Sequence, residues 1–159
     1  MASDIFAKIG DIKGESLDDK HKGEIDVLSW SWGVTQSGTM SHGGGGGEGK
    51  AHFNDFSFTH GVDKASPVLL KACATGEHIK EATITVRKAG KGQQEVLIIK
   101  MNDIIITGVS LGDTSDGAGS ETVTMAFAKV DIEYRPQKAD GSLEAGIHFK
   151  YDIKANKEG

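Results

Sequence analysis

Apolar side chains recur at every second position through most of this chain, the repeat of strands that bury one face. In Asp4 to Ile12 the alternating residues are Ile5, Ala7 and Ile9. Lys13 to Gly23 is charged and rich in turn formers, and reads as a surface loop. Glu24 to Gly33, EIDVLSWSWG, holds both tryptophans, and its alternation changes face between Val27 and Leu28. Past that break, Leu28, Trp30 and Trp32 share one side and are expected to anchor a core, while Ser29 and Ser31 face away. Lys50 to His60 reads as a strand with a bulge near Asn54–Asp55, because Phe53 is opposite in parity to Phe56 and Phe58.

The repeat changes in Asp63 to Gly76. Ser66 is a good N-cap and Pro67 suits the first helical turn. Leu69, Leu70, Cys73 and Ala74 fall on one helical face, and Gly76 suits the C-terminal cap, so the pattern predicts a helix over 66–75. Alternation then returns in Glu81–Lys88, with a turn at Ala89–Gln94. Glu95–Thr107 is apolar on both parities, so its middle is expected to be covered on both faces. Gly108–Leu111 is short, and Gly112–Gly119 is a loop. Glu121 to Arg135 is the longest strand, and its parity switch at Ala128–Lys129 predicts a bulge or a barrel corner there. Pro136–Gly146 is a loop, Gly146–Ile153 a last strand, and residues 154–159 a polar tail expected to fray. About eight strands and one helix make a mainly-β domain over 1–159, a β-barrel or two-sheet sandwich with one flanking α-helix.

Composition narrows the function. A chain of 159 residues can bury a core without a disulfide, and its lone cysteine, Cys73, cannot form an internal one. Hydrophobic residues make up only 37%, which suggests that inter-subunit burial adds to the monomer's own core. The net charge is −5 and no Lys/Arg stripe forms, so nucleic acid is not an expected ligand. Runs such as Val96–Ile99 and Ile104–Ile106 are too short to span a bilayer, so no membrane insertion is expected. The N-terminus lacks a signal-peptide pattern, so synthesis is read as cytoplasmic and any export as independent of a cleaved signal.

Candidate chemistry is sparse. Gly44 to Ala51 spells GxxxxGK, the opening of a phosphate-binding loop. Ala51 stands where a magnesium-ligating hydroxyl is needed, and the next residues alternate as a strand, with no helix N-terminus to face a phosphate. The segment is read instead as part of an extended glycine-rich loop over 37–49. The histidines (His21, His42, His52, His60, His78, His148) lack zinc-motif spacing and read as surface or loop residues. Asp113-x-x-Asp116-Gly117 reads as a turn, since it lacks the ligand alternation of a calcium loop. Cys73 reads as a small core residue. No enzyme activity, metal or other cofactor is expected.

In chain order, EIDVLSWSWG, the glycine-rich arm, DKASPVLLKACATGEH, ATITVRKAG and ETVTMAFAKVDIEYRPQKADG resemble Hcp, the haemolysin-coregulated protein family of bacterial type VI secretion. The resemblance implies a β-barrel like the tail-tube proteins of contractile phages. It implies a homohexameric ring that stacks into the inner tube, is secreted, and serves small effector toxins as receptor and chaperone. The implied partners are further copies of the chain, a VgrG-type spike protein, and contractile sheath and baseplate components. On this reading Ser29 and Ser31 are candidate lumen and effector-binding residues. Ser37, Met40, His42, Gly45, Glu48, Gly90 and Lys91 are candidates for ring-to-ring contact. The chain ends soon after the barrel, so cargo is expected in trans. The competing reading is a small extracellular β-sandwich that binds a ligand such as carbohydrate.

Overall fold

A computed structural model of the chain describes residues 3–38, 50–88 and 92–159. In chain order these form β1 (Ser3–Ile9), β2 (Ile25–Ser31), β3 (Val34–Gln36), β4 (Ala51–Phe53), β5 (Phe56–Gly61), α1 (Ser66–Thr75), β6 (His78–Lys88), β7 (Glu95–Gly112), β8 (Ser120–Tyr134), β9 (Ile147–Asp152) and β10 (Lys157–Glu158). Strands β8, β5, β2, β1, β6 and β7 pair in that order, and β7 pairs back with β8 to close a barrel. Closure hides strand edges that would otherwise invite aggregation. Strands β9 and β10 extend the sheet from β8, and β3 pairs with β4 as a separate hairpin. The barrel form of the expected fold is therefore the one adopted.

The interior is filled by alternate residues of every barrel strand. Ile9, Ile25, Phe56, Phe58, Ile84, Ile99, Ile104 and Met125 are all buried there. Helix α1 packs against β7 through Leu69 and Ala72, with Cys73 half-buried beside them. Leu70 and Ala74, expected on that face, are exposed. The helix has its expected bounds, but Ser66 is its first residue and does not cap it. Ala65 occupies the cap position, and the Ser66 hydroxyl accepts the Asp63 N–H at 3.1 Å. The other end is as expected. Gly76 has φ 64°, its N–H bonds the Cys73 carbonyl, and the Glu77 N–H bonds that of Ala72.

Strand β8 turns a corner, though not by a bulge of its own. One edge pairs with β7 throughout; the other pairs with β5 over 120–125 and then with β9 over 129–134. The irregularities lie on β7, where Asp103 has φ 57° and the register slips between Ile106 and Gly108. Strand β7 also runs on without a break through Gly108–Leu111.

Two segments are more ordered than their composition suggests. The charged loop 13–23 folds over the outside of β1, β6 and β7 and makes a second, smaller core. Phe6, Thr85, Arg87, Val96 and Ile98 are buried there, with His21 stacked on Phe6 at 4.4 Å. The polar tail turns back through Asn156 (φ 55°), and β10 pairs with Tyr151 and Asp152 of β9.

Candidate functional site

Strand β2 carries Leu28, Ser29, Trp30 and Ser31 side by side. Between Val27 and Ser29 the pairing with β5 slips by one residue, and Leu28 is the extra residue. Leu28 is 67% exposed, so it does not anchor the core as its parity suggested. The slip restores the rest of the pattern. Trp30 lies opposite Phe58 and stacks on Phe56 at 5.6 Å. Trp32 donates its indole N–H to the Asn54 carbonyl at 2.8 Å and packs on Phe53 and Phe127. Both tryptophans are half-buried at the margin of the core.

Ser29 and Ser31 point out, and they are not alone. Register aligns Ser29 with Thr59, Thr122 and Ser110, and Ser31 with Ser57, Thr124 and Gly108. Four strands thus present rows of small hydroxyls with no charged side chain in either row. Thr59 and Thr122 hydrogen-bond at 3.1 Å, and Thr107 bonds Thr124 at 2.9 Å and donates to Asp55 at 2.7 Å. A Cβ on Gly108 would stand 2.7 Å from the Thr124 hydroxyl, so any larger residue at 108 would displace that hydroxyl from its place in the row. The sequence signal for these further hydroxyls was present in FSFTHG and ETVTM, where Ser and Thr alternate with core residues.

The core rows also continue outward on the other side of β8. The row Leu97–Tyr134–Ile147 and the row Ile99–Ile132–Phe149 carry the inward face of the barrel onto β9. There it lies open: Tyr134 is 49%, Ile147 66% and Phe149 39% exposed. Phe149 stacks on Tyr151, which meets Phe53 at 4.9 Å, so aromatic packing links β9 to the β3–β4 hairpin.

That hairpin is the base of the glycine-rich loop. Ser37 is exposed there, and its hydroxyl accepts the Lys50 N–H at 3.2 Å. Met40, His42, Gly45, Glu48, Gly90 and Lys91 lie outside the described residues, as does Gly44–Gly49 of the GxxxxGK spelling. Ala51, which follows Lys50, opens a strand.

The histidines need a correction, since two belong to the interior. His60 and Glu121 are both fully buried, with Nε2 and Oε1 2.7 Å apart, and Asp63 lies 3.6 Å from His60 Nδ1. His21 bridges Glu24 at 3.0 Å and Glu95 at 2.9 Å. Nearby, Arg87 clamps Asp18 through two bonds of 2.9 and 2.7 Å and reaches Asp4 at 3.1 Å. That guanidinium holds the Asp18 carboxyl down at about 2. Among the described residues no group of three or more His, Cys, Asp or Glu could hold a metal ion. Asp116 sits in a turn closed by the Gly117 N–H on the Thr114 carbonyl, and the Thr114 hydroxyl lowers its carboxyl from the usual range. These polar groups pin loops to the barrel. Two extended surfaces, one hydroxylated and one apolar, lie open beside these contacts.

Comparison with known proteins identifies the lineage. The family model described as "Type VI secretion system effector, Hcp" matches residues 6–134. The chain is 48% identical over 159 residues to Protein hcp1 of Pseudomonas aeruginosa, covering 98% of each chain. The crystal structure of Hcp1 from Salmonella typhimurium is 43% identical and superposes with a TM-score of 0.83 over 100% of both chains. That of a type VI secretion system effector from Yersinia pestis is 39% identical, with a TM-score of 0.78 over 94% of this chain and 100% of the other. The hydroxyl-faced barrel with its open apolar flank belongs to the Hcp family of type VI secretion proteins.

Proposed function

We propose that this chain is the repeating unit of a secreted tube, in which copies close into homohexameric rings and the rings stack. The family is a secreted, structural one of the type VI secretion system. The observation that carries the reading is the open apolar flank formed by Leu97, Ile132, Tyr134, Ile147 and Phe149. Its side chains continue the barrel's own core rows, and a neighbouring subunit covers them. Closing a ring of such barrels leaves one outer face of each toward the axis. The rows containing Ser29 and Ser31 suit that position. Small uncharged hydroxyls offer hydrogen bonds without deep pockets or strong fields, which favours weak binding of varied protein cargo. On this reading the lumen serves effector toxins as receptor and chaperone. Loop 37–49 and turn 89–94 contact the next ring, and the spike, sheath and baseplate meet the assembled tube.

Light scattering on the purified protein at micromolar concentration tests the first step, with negative-stain micrographs as the second reading. A hexamer of the 16.8 kDa chain and visible annuli are expected. Tyr134→Lys combined with Ile147→Lys should yield folded monomers, because two ammonium groups then stand where apolar contact is required. A wild-type protein that stays monomeric and shows no annuli sinks the proposal.

A further inference from the structure

The outward faces of β1, β6, β7, β8, β9 and β10 carry a different chemistry from the hydroxyl rows. Two adjoining shallow depressions of about 220 and 400 Å³ meet at Asn102 and make one trough across them. Strand register explains its lining. One row runs Lys8–Thr83–Lys100–Asp131–Lys150, and the next runs Glu81–Asn102–Lys129–Asp152–Lys157. Among the described residues, Lys8, Lys100, Lys129, Lys150 and Lys157 form no ion pair. Their carboxylate neighbours are partly occupied: Asp131 accepts from His148 Nδ1 at 2.9 Å, and Asp152 accepts the Ala155 N–H at 2.9 Å. Cations outnumber carboxylates in this trough, although the whole chain carries −5.

We propose that this trough docks an acidic, extended segment of a partner protein. Lys8 and Lys100 are two strands apart, as are Lys100 and Lys150, so successive lysine backbone positions are spaced by about 9–10 Å. A polyproline II segment returns every third side chain to the same side after about 9.3 Å, which brings a carboxylate to each lysine in turn. Thr83 and Asn102 line the floor and offer hydrogen bonds to the segment's backbone. Asp131, Asp152 and Glu81 stand between the lysines and repel a continuous polyphosphate, so the pattern favours spaced carboxylates over nucleic acid. The trough uses none of the residues of the apolar flank or the hydroxyl rows, so the inference stands apart from ring closure.

Fluorescence anisotropy on the full chain tests it, with a labelled peptide of about four Glu-Pro-Pro repeats as the probe and its Gln-Pro-Pro counterpart as the control. The Glu peptide should bind at low ionic strength and the Gln peptide should not. Raising salt to about 0.5 M should weaken binding at least about tenfold, since exposed charges are screened. Lys100→Glu combined with Lys150→Glu should cost at least about tenfold at fixed salt, and Lys13→Glu combined with Lys22→Glu should change little. If the charge reversal disturbs folding, Lys100→Gln with Lys150→Gln gives the same test with a smaller loss. Equal binding of both peptides, or binding untouched by the paired substitutions, overturns the inference. Tighter binding of a DNA duplex than of the Glu peptide overturns it too. So does a change of oligomeric mass in the Lys100/Lys150 variants, which makes the trough a contact between copies.

Discussion

Asp18 shows how one side chain can fix a loop. Its carboxylate lies in the charged segment 13–23, yet both oxygens are held by Arg87, whose guanidinium sits over the Phe6 ring at 5.0 Å. The folded pKa of about 2 lies below the ordinary 3.8, so this group stabilises the fold above 3.8 and ceases to do so as pH falls through about 2. Denaturant titrations should therefore show a loss of stability across that window that is smaller in Asp18→Asn. A variant with the same pH dependence as the wild type would remove Asp18 from the account. Asp26 acts with the opposite sign, because burial and the nearby Asp63, Asp18 and Asp4 raise its carboxyl, so acidification toward that value relieves a cost. The fully buried His60–Glu121 pair is the costlier contact to break. Glu121→Ala strands an imidazole in the barrel and should lower unfolding free energy by roughly 3–5 kcal/mol, while Glu121→Gln, which keeps an acceptor, should cost less than half of that. Urea unfolding measures both, and equal losses would show that packing volume, not the polar contact, matters there. None of these pairings was legible in sequence. His60 shares the parity of Phe56 and Phe58, which already sets it on the inward side of β5, but Glu121 is far off in the chain and becomes its partner only through the pairing of β5 with β8.

Elements were read more reliably than single positions where one local repeat decides the outcome. Helix α1 was bounded by Pro67 and Gly76, residues whose backbone constraints act within a few positions. Its buried face was shifted by about one residue, because the strand it packs on decides which face turns inward. Alternation found most strands for the same local reason. It failed at Leu28, where a one-residue slip against β5 sends the side chain outward. It placed the corner of β8 where the strand changes partner from β5 to β9, but the register slip that a bulge would give falls on β7. It also missed the tail hairpin, whose two-residue β10 has no apolar pattern to detect and is held by pairing with β9. Cross-strand register, unlike helical capping, depends on residues distant in sequence, so no local repeat encodes it.

At the scale of the molecule, the barrel sorts its outward chemistry by side. Ser29, Ser31, Ser57 and Thr59 lie on one face, Lys100, Lys129 and Lys150 on another, and the apolar flank of β9 between subunits in the proposed ring. Ring closure fixes which face looks inward, and a labelling experiment can decide it. Cys73 is half-buried and is first replaced by Ala, so that an introduced thiol reacts alone. Ser31→Cys and Lys150→Cys each add one exposed thiol, since both parent positions are exposed. A small maleimide should modify both at similar rates. A maleimide carrying a long polymer should modify Ser31→Cys several-fold more slowly than Lys150→Cys in assembled rings, because the polymer must enter a confined channel to reach the first and none to reach the second. The difference should vanish in the Tyr134→Lys, Ile147→Lys monomer, where both faces are open. The reverse order of rates in rings would place the lysine face on the axis and exclude the hydroxyl rows as the lumen. Equal rates in rings would mean that neither face is enclosed, and that the open flank of β9 closes copies into some other assembly.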